Sequence, residues 1–260
     1  MHNIIIQIYE VQTPSEAEKL IELGVNRIGS VIVSDEKWRI PVIKETINLA
    51  GSTRSMSSLI MLFSELNNIF RALDYYRPNI LHFCEDIASS YSIYGNCEDL
   101  IILQQNIKEK FPEIKLMRSI PITQPGMKNQ ITSIELAGMF EPVSDYFLTD
   151  TLLVKSSNCG LKNQPVKGFI GITGRTCDWD TAAELVESSS IPVILAGGLS
   201  PDNVFDGIMR VSPAGVDSCT GTNFLDFKGK PIRFQKDLER VEQFVEETRR
   251  AEKLFIEKEF

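Results

Sequence analysis

Short apolar runs alternate with helically spaced apolar positions along nearly the whole chain. Residues 4–9, IIIQIY, are rich in branched side chains and predict a strand. TPSEAEKLIELG follows, with Thr13 or Ser15 available as an N-cap and Gly24 as a stop, which predicts a helix. NRIGSVIV repeats the strand signal. PVIKETINLAG repeats the helix signal, with Pro41 suited to a first turn and Gly51 to a C-cap. The series continues through SLIMLF, LNNIFRALDYY, NILHFC, EDLIILQQNIKEKF, IKLMRSIPI, ITSIELAGMF and DYFLTD. After a polar stretch from Thr151 to Lys167 come DWDTAAELVESS, IPVILAG, PDNVFDGIMRV, AGVDSC and a charged helix from about Phe234, completing eight strand and helix pairs.

Strands alternating with helices at this spacing predict parallel βαβ units, since a crossover helix is the usual return to a parallel neighbour. The strands are apolar on both faces, as burial on both sides requires. Eight units favour a closed α/β barrel over an open sheet, and the 260 residues fit one (βα)8 TIM barrel domain spanning 1–260. The surplus length falls in the loop after strand six, in TNFLDFKGKPIRF and in an extended C-terminal helix. The loop from Thr151 to Lys167 is either a lid or an insertion without a role.

Charge narrows the function. With 27 Lys and Arg against 35 Asp and Glu, the net charge of −8 argues against nucleic-acid binding, which recruits clustered cations. No apolar run is long enough to span a membrane, and MHNIIIQIYE has neither the basic start nor the cleavage site of a signal peptide. A cytoplasmic enzyme, monomeric or homodimeric, is expected. Cys84, Cys97, Cys159, Cys177 and Cys219 form no CxxC pair, and only His2 and His82 are available as imidazoles, so no metal site and no cofactor is indicated.

In a (βα)8 barrel the chemistry comes from the C-terminal ends of strands. The polar residues there are Gln7, Tyr9, His82, Cys84, Arg118, Asp150, Asp217 and Cys219, with Arg39 in the second loop. Period-two alternation puts Tyr146, Leu148 and Asp150 on one side of strand six, and Gln7 with Tyr9 on one side of strand one. Gln7 reads as a satisfied interior amide, and His82, out of phase with Leu81 and Phe83, as structural. LAGGLSPDNV and GVDSCTGTN place Gly197, Gly198, Thr220 and Gly221 after strands seven and eight, with Pro201 as a helix start. Two such loops suit a phosphate, because they bring backbone N–H groups to the mouth.

The stretches FLTDT, GITGRTCDW, PVILAGGLSPDNV, GVDSCTGTN and KDLERVEQFV resemble, in order, the phosphoribosylanthranilate isomerase family. QIYEVQTPSEA stands where that family has KICG, and LGVNRIGSVI stands where it has GAD.IGFVF. The resemblance implies an Amadori rearrangement of a phosphorylated aminosugar in tryptophan biosynthesis, with Asp150 as the acid, Arg39 and Asp217 as substrate-binding residues, and Asp178 as a helix cap. The family's base, the cysteine of KICG, aligns with Tyr9. A phenol, with a pKa near 10, is a poor base at neutral pH. Cys84, Cys219 and Glu10 are substitutes, although Glu10 reads as pointing outward. Two other readings fit the same residues: a barrel acting on another phosphorylated sugar, and a non-catalytic phospholigand-binding homologue.

Overall fold

The computed structural model describes residues 3–90, 95–127, 131–154 and 165–258. His2, Cys159 and most of the loop read as a lid or insertion lie outside them. Eight parallel strands close into a barrel in sequence order: β1 (Ile5–Ile8), β2 (Arg27–Ile32), β3 (Met56–Met61), β4 (Ile80–Phe83), β5 (Lys115–Thr123), β6 (Tyr146–Leu152), β7 (Val193–Leu195) and β8 (Gly215–Ser218). β1 pairs with β8 through Gln7 opposite Asp217, which completes the closure. Helices α1 (Pro14–Glu22), α2 (Pro41–Gly51), α3 (Leu66–Tyr76), α4 (Ile87–Ser90), α5 (Gly95–Lys110), α6 (Ser133–Phe140), α7 (Trp179–Ser188), α8 (Val204–Val211) and α9 (Leu238–Lys258) complete the units.

Local chemistry explains the element ends. The Thr13 hydroxyl accepts from the Glu16 N–H ahead of Pro14, and the Asp178 carboxylate caps α7 through the Thr181 N–H at 2.9 Å. Gly51 is the last residue of α2 rather than its cap, which is Ser52. Pro201 does not start a helix: the Asn203 side chain accepts from the Ser200 N–H and folds that segment into a turn, so α8 begins at Val204.

The largest departure follows β8. Instead of a helix from Phe234, an antiparallel hairpin of β9 (Asn223–Leu225) and β10 (Pro231–Lys236) precedes α9. Alternating exposure along PIRFQK marks it as a strand, and Asp237 caps the helix that follows by accepting from the Glu239 and Arg240 N–H groups.

Two apolar layers result. Outward-facing strand residues such as Ile6, Ile8, Leu81, Phe83, Phe147 and Leu195 pack against the helices. A smaller interior cluster joins Tyr9, Val31, Ile80, Met117, Leu148, Ile194 and Ala196. Among the described residues no helix is long and apolar enough to cross a membrane.

Candidate active site

A cavity opens at the C-terminal end of the barrel, the end where strands deliver side chains into loops. Its floor is the interior face of β1, β3, β4, β6 and β8, contributed by Tyr9, Ile60, His82, Leu148 and Asp217. One wall is the segment from Phe169 to Gly174. Its end is fixed to β4 by hydrogen bonds from the Ile170 N–H to the Cys84 carbonyl and from the Asp86 N–H to the Gly168 carbonyl, both at 2.9 Å. The two glycine loops after β7 and β8 adjoin it, with Gly174 against Thr220 and Arg175 against Gly198, and continue the wall.

Asp150 and Asp217 both face this cavity. Asp150 Oδ1 accepts from the Thr151 N–H at 2.8 Å, and Oδ2 lies so close to Gly171 that any Cβ there would overlap it. Enclosure by protein raises the Asp150 pKa to about 7, against the lowering effect of that hydrogen bond. Asp217, 7% exposed, accepts from Gln7 Nε2 at 3.0 Å. Burial raises it to about 7 as well; the Gln7 hydrogen bond and Lys236 lower it, and the Asp150 charge adds to the rise. Gln7 is thus an interior amide as expected, but only its nitrogen is partnered.

The glycine loops bring main chain to the cavity. Gly174, Gly197 and Gly198 all have positive φ, and their N–H groups find no acceptor among the described residues. A Cβ at Gly198 would overlap the Arg175 backbone, and one at Gly221 the Leu199 carbonyl. Only glycine permits the three loops to close this tightly, and that closure lines the cavity with main-chain donors. Thr220 and Gly221 complete the wall.

A buried chain of hydrogen bonds crosses the floor. The Tyr9 hydroxyl lies 2.5 Å from Ser58 Oγ and 2.8 Å from His82 Nδ1, and His82 Nε2 lies 2.8 Å from Ser119 Oγ. The Tyr9 ring occupies the space above Gly29, where a Cβ would overlap it. Burial pushes the Tyr9 phenol well above its ordinary value and lowers His82 to about 3, so both are neutral at physiological pH.

Comparison with known proteins finds one recurring similarity. The model for N-(5'-phosphoribosyl)anthranilate isomerase matches residues 128–247. The isomerase of that name from Methanocella arvoryzae is 32% identical over 145 residues, which is 56% of this chain and 55% of the relative. At this level the chain thus spans about half of the relative's length. The Methanosarcina acetivorans isomerase is 24% identical over 94% of the chain and 92% of its own length. The chain is thus similar to phosphoribosylanthranilate isomerases, most clearly over its C-terminal half. The crystal structure of the phosphoribosyl anthranilate isomerase from Thermotoga maritima shares the fold, with a TM-score of 0.63 at 18% identity over 95% of this chain and 99% of that one.

Several family positions are rebuilt. Tyr9, expected at the base position, lies at the cavity floor as a neutral phenol within hydrogen-bond distance of Ser58 and His82. Arg39, expected at the substrate carboxylate, does not line the cavity. It is exposed and stacks on Tyr75, 4.8 Å from the ring centroid. Arg118 lies on the outer face of β5, between the rings of Phe83 and Phe140, and pairs with Glu85 at 2.5 Å and Gln104 at 2.7 Å. Glu10 does not point outward. A φ of 64° turns it into the cavity wall, where it is 1% exposed and pairs with Arg233 of β10.

Sequence reasoning missed this pair, since 223 residues separate its members. His82, read as structural, is a buried neutral imidazole with both ring nitrogens hydrogen-bonded, and what the sequence did not show is that its partners are Tyr9 and Ser119.

Proposed function

We propose that the chain is a phosphoribosylanthranilate isomerase, a cytoplasmic monomer or homodimer that converts a phosphorylated aminoaldose to the aminoketose. The observation that carries this reading is the Asp150 carboxyl, able to keep its proton near neutrality, in one cavity with the glycine loops. The substrate's 5-phosphate accepts hydrogen bonds from the N–H groups around Gly174, Gly197, Gly198, Thr220 and Gly221, which supply donors without a fixed cation. Asp150 donates its proton to the ribose ring oxygen. The C1–O bond breaks with its electron pair going to that oxygen, and the nitrogen lone pair forms the C1=N bond. Loss of the C2 proton gives an enolamine, and its ketonisation completes the isomerisation.

The test is direct conversion of phosphoribosylanthranilate by the purified chain, together with rescue of a tryptophan auxotroph. Wild type is expected to succeed in both. Asp150→Asn, which keeps the shape but holds no transferable carboxyl proton, should lower kcat by about 10²- to 10⁴-fold, the usual range for a general acid. Failure of the wild type in both assays removes the proposal.

A further inference from the structure

The reaction proposed above needs a group to accept the C2 proton, and the following inference rests on that proposal. The cavity offers few acceptors. Tyr9 is a neutral phenol, and both ring nitrogens of His82 are already hydrogen-bonded. Burial pushes the Cys84 and Cys219 thiols well up, so neither is a thiolate at neutral pH. Glu10 is engaged by the Arg233 guanidinium and the Phe234 N–H. Lys236 is a cation whose Nζ donates to the Cys219 carbonyl at 2.8 Å and to Asn223. One carboxyl besides Asp150 remains.

We propose that Asp217 is the general base that removes the C2 proton, working across the cavity from Asp150. Three features of its placement support this. First, Gln7 lies directly opposite it in the β1–β8 register and donates to one of its oxygens, while the other oxygen has no hydrogen-bond partner among the described residues. A carboxylate held by one oxygen presents the other in a fixed direction. Second, Asp150 on β6 and Asp217 on β8 flank β7, and the residues that follow β7 into the cavity lining, Ala196, Gly197 and Gly198, are small, while the Asp150 charge is near enough to act on Asp217. Third, Thr220 and Gly221 follow Asp217 on the same strand end, so a sugar anchored there by its 5-phosphate has its carbons near this carboxylate.

The electron count closes. Asp217 carboxylate takes the C2 proton, the C2–H electrons form C1=C2, and the C1=N electrons return to nitrogen. On ketonisation C1 gains a proton from Asp217, the C2 hydroxyl gives one to Asp150, and both carboxyls regain their starting states. The active form therefore carries one proton on the pair, which predicts a bell-shaped kcat profile centred near neutrality.

Steady-state turnover by the purified full chain tests this. Asp217→Asn should lower kcat by about 100-fold or more, leave KM within a few fold and abolish the acid limb of the kcat profile. Asp217→Glu should restore part of the rate. An Asn variant that is folded by circular dichroism and turns over at the wild-type rate overturns the assignment, and so does a change confined to KM. A loss seen in Tyr9→Phe or Cys84→Ser but not in Asp217→Asn overturns it too. Should the Asn variant fail to fold, Gln7→Leu carries the test: releasing Asp217 should lower kcat about tenfold at constant KM, the weaker effect of a positioning residue, and an unchanged kcat overturns the inference. Inactive wild type would remove the isomerase proposal as well, whereas active wild type with active Asp217→Asn removes only the base.

Discussion

At the scale of single residues, the site depends on what the glycines leave open. Asp150 can sit where it does because Gly171, at φ 95°, offers no side chain to its carboxyl. Gly171→Ala adds both an overlap with Asp150 Oδ2 and backbone strain. It is expected to lower kcat at least tenfold with a smaller effect on KM, which steady-state kinetics can check. Gly29 plays the matching part for Tyr9, whose ring fills the volume a side chain at position 29 would need. Strand phase in the sequence was enough to read Asp150, Asp217 and Tyr9 as inward or mouth-facing, because alternation is a local property of the backbone. The glycines were legible as turns, but not the neighbours that require them, since contacts across strands and loops leave no mark in either segment alone.

At the scale of elements, the hairpin after β8 is fastened to the loop after β1. Glu10 and Phe234 both adopt left-handed conformations, and the carboxylate of Glu10 binds the Arg233 side chain and the Phe234 N–H. Phe234 in turn packs on the interior cluster. Arg233→Ala leaves a buried carboxylate without its cation, a change that generally destabilises. The hairpin should then open more often, and trypsin should cut after Lys228 several-fold faster while the barrel remains intact; unchanged proteolysis would show that the pair does not hold the hairpin. The sequence supported a helix from about Phe234 because the charged periodic pattern of α9 was extended backwards through a segment that alternates by two instead. Asp237 was the readable boundary.

At the scale of the molecule, two carboxyls in one low-dielectric cavity tie stability to pH. Asp150 and Asp217 are both raised from 3.8 to about 7, so the folded state holds their protons more tightly than the unfolded chain does. The associated stability is present in full below about pH 4 and is lost as the pH rises through about 7. Denaturant unfolding of wild type and Asp217→Asn at pH 5 and pH 8 should show wild type losing about 1 to 4 kcal/mol relative to the variant over that interval. A constant difference would mean that Asp217 titrates normally. The sequence by itself determined the barrel, since eight apolar runs separated by helical patterns admit few other closures and each element forms from local periodicity and capping. It also carried the resemblance to phosphoribosylanthranilate isomerases, through motifs at strand ends. Only the tertiary structure decided which side chains share the cavity. It turned Glu10 inward, carried Arg39 away to Tyr75, and left Tyr9 neutral within a buried network. Protonation state depends on burial and on neighbours brought together by barrel closure, and these are sums over the whole fold that no single stretch of chain contains.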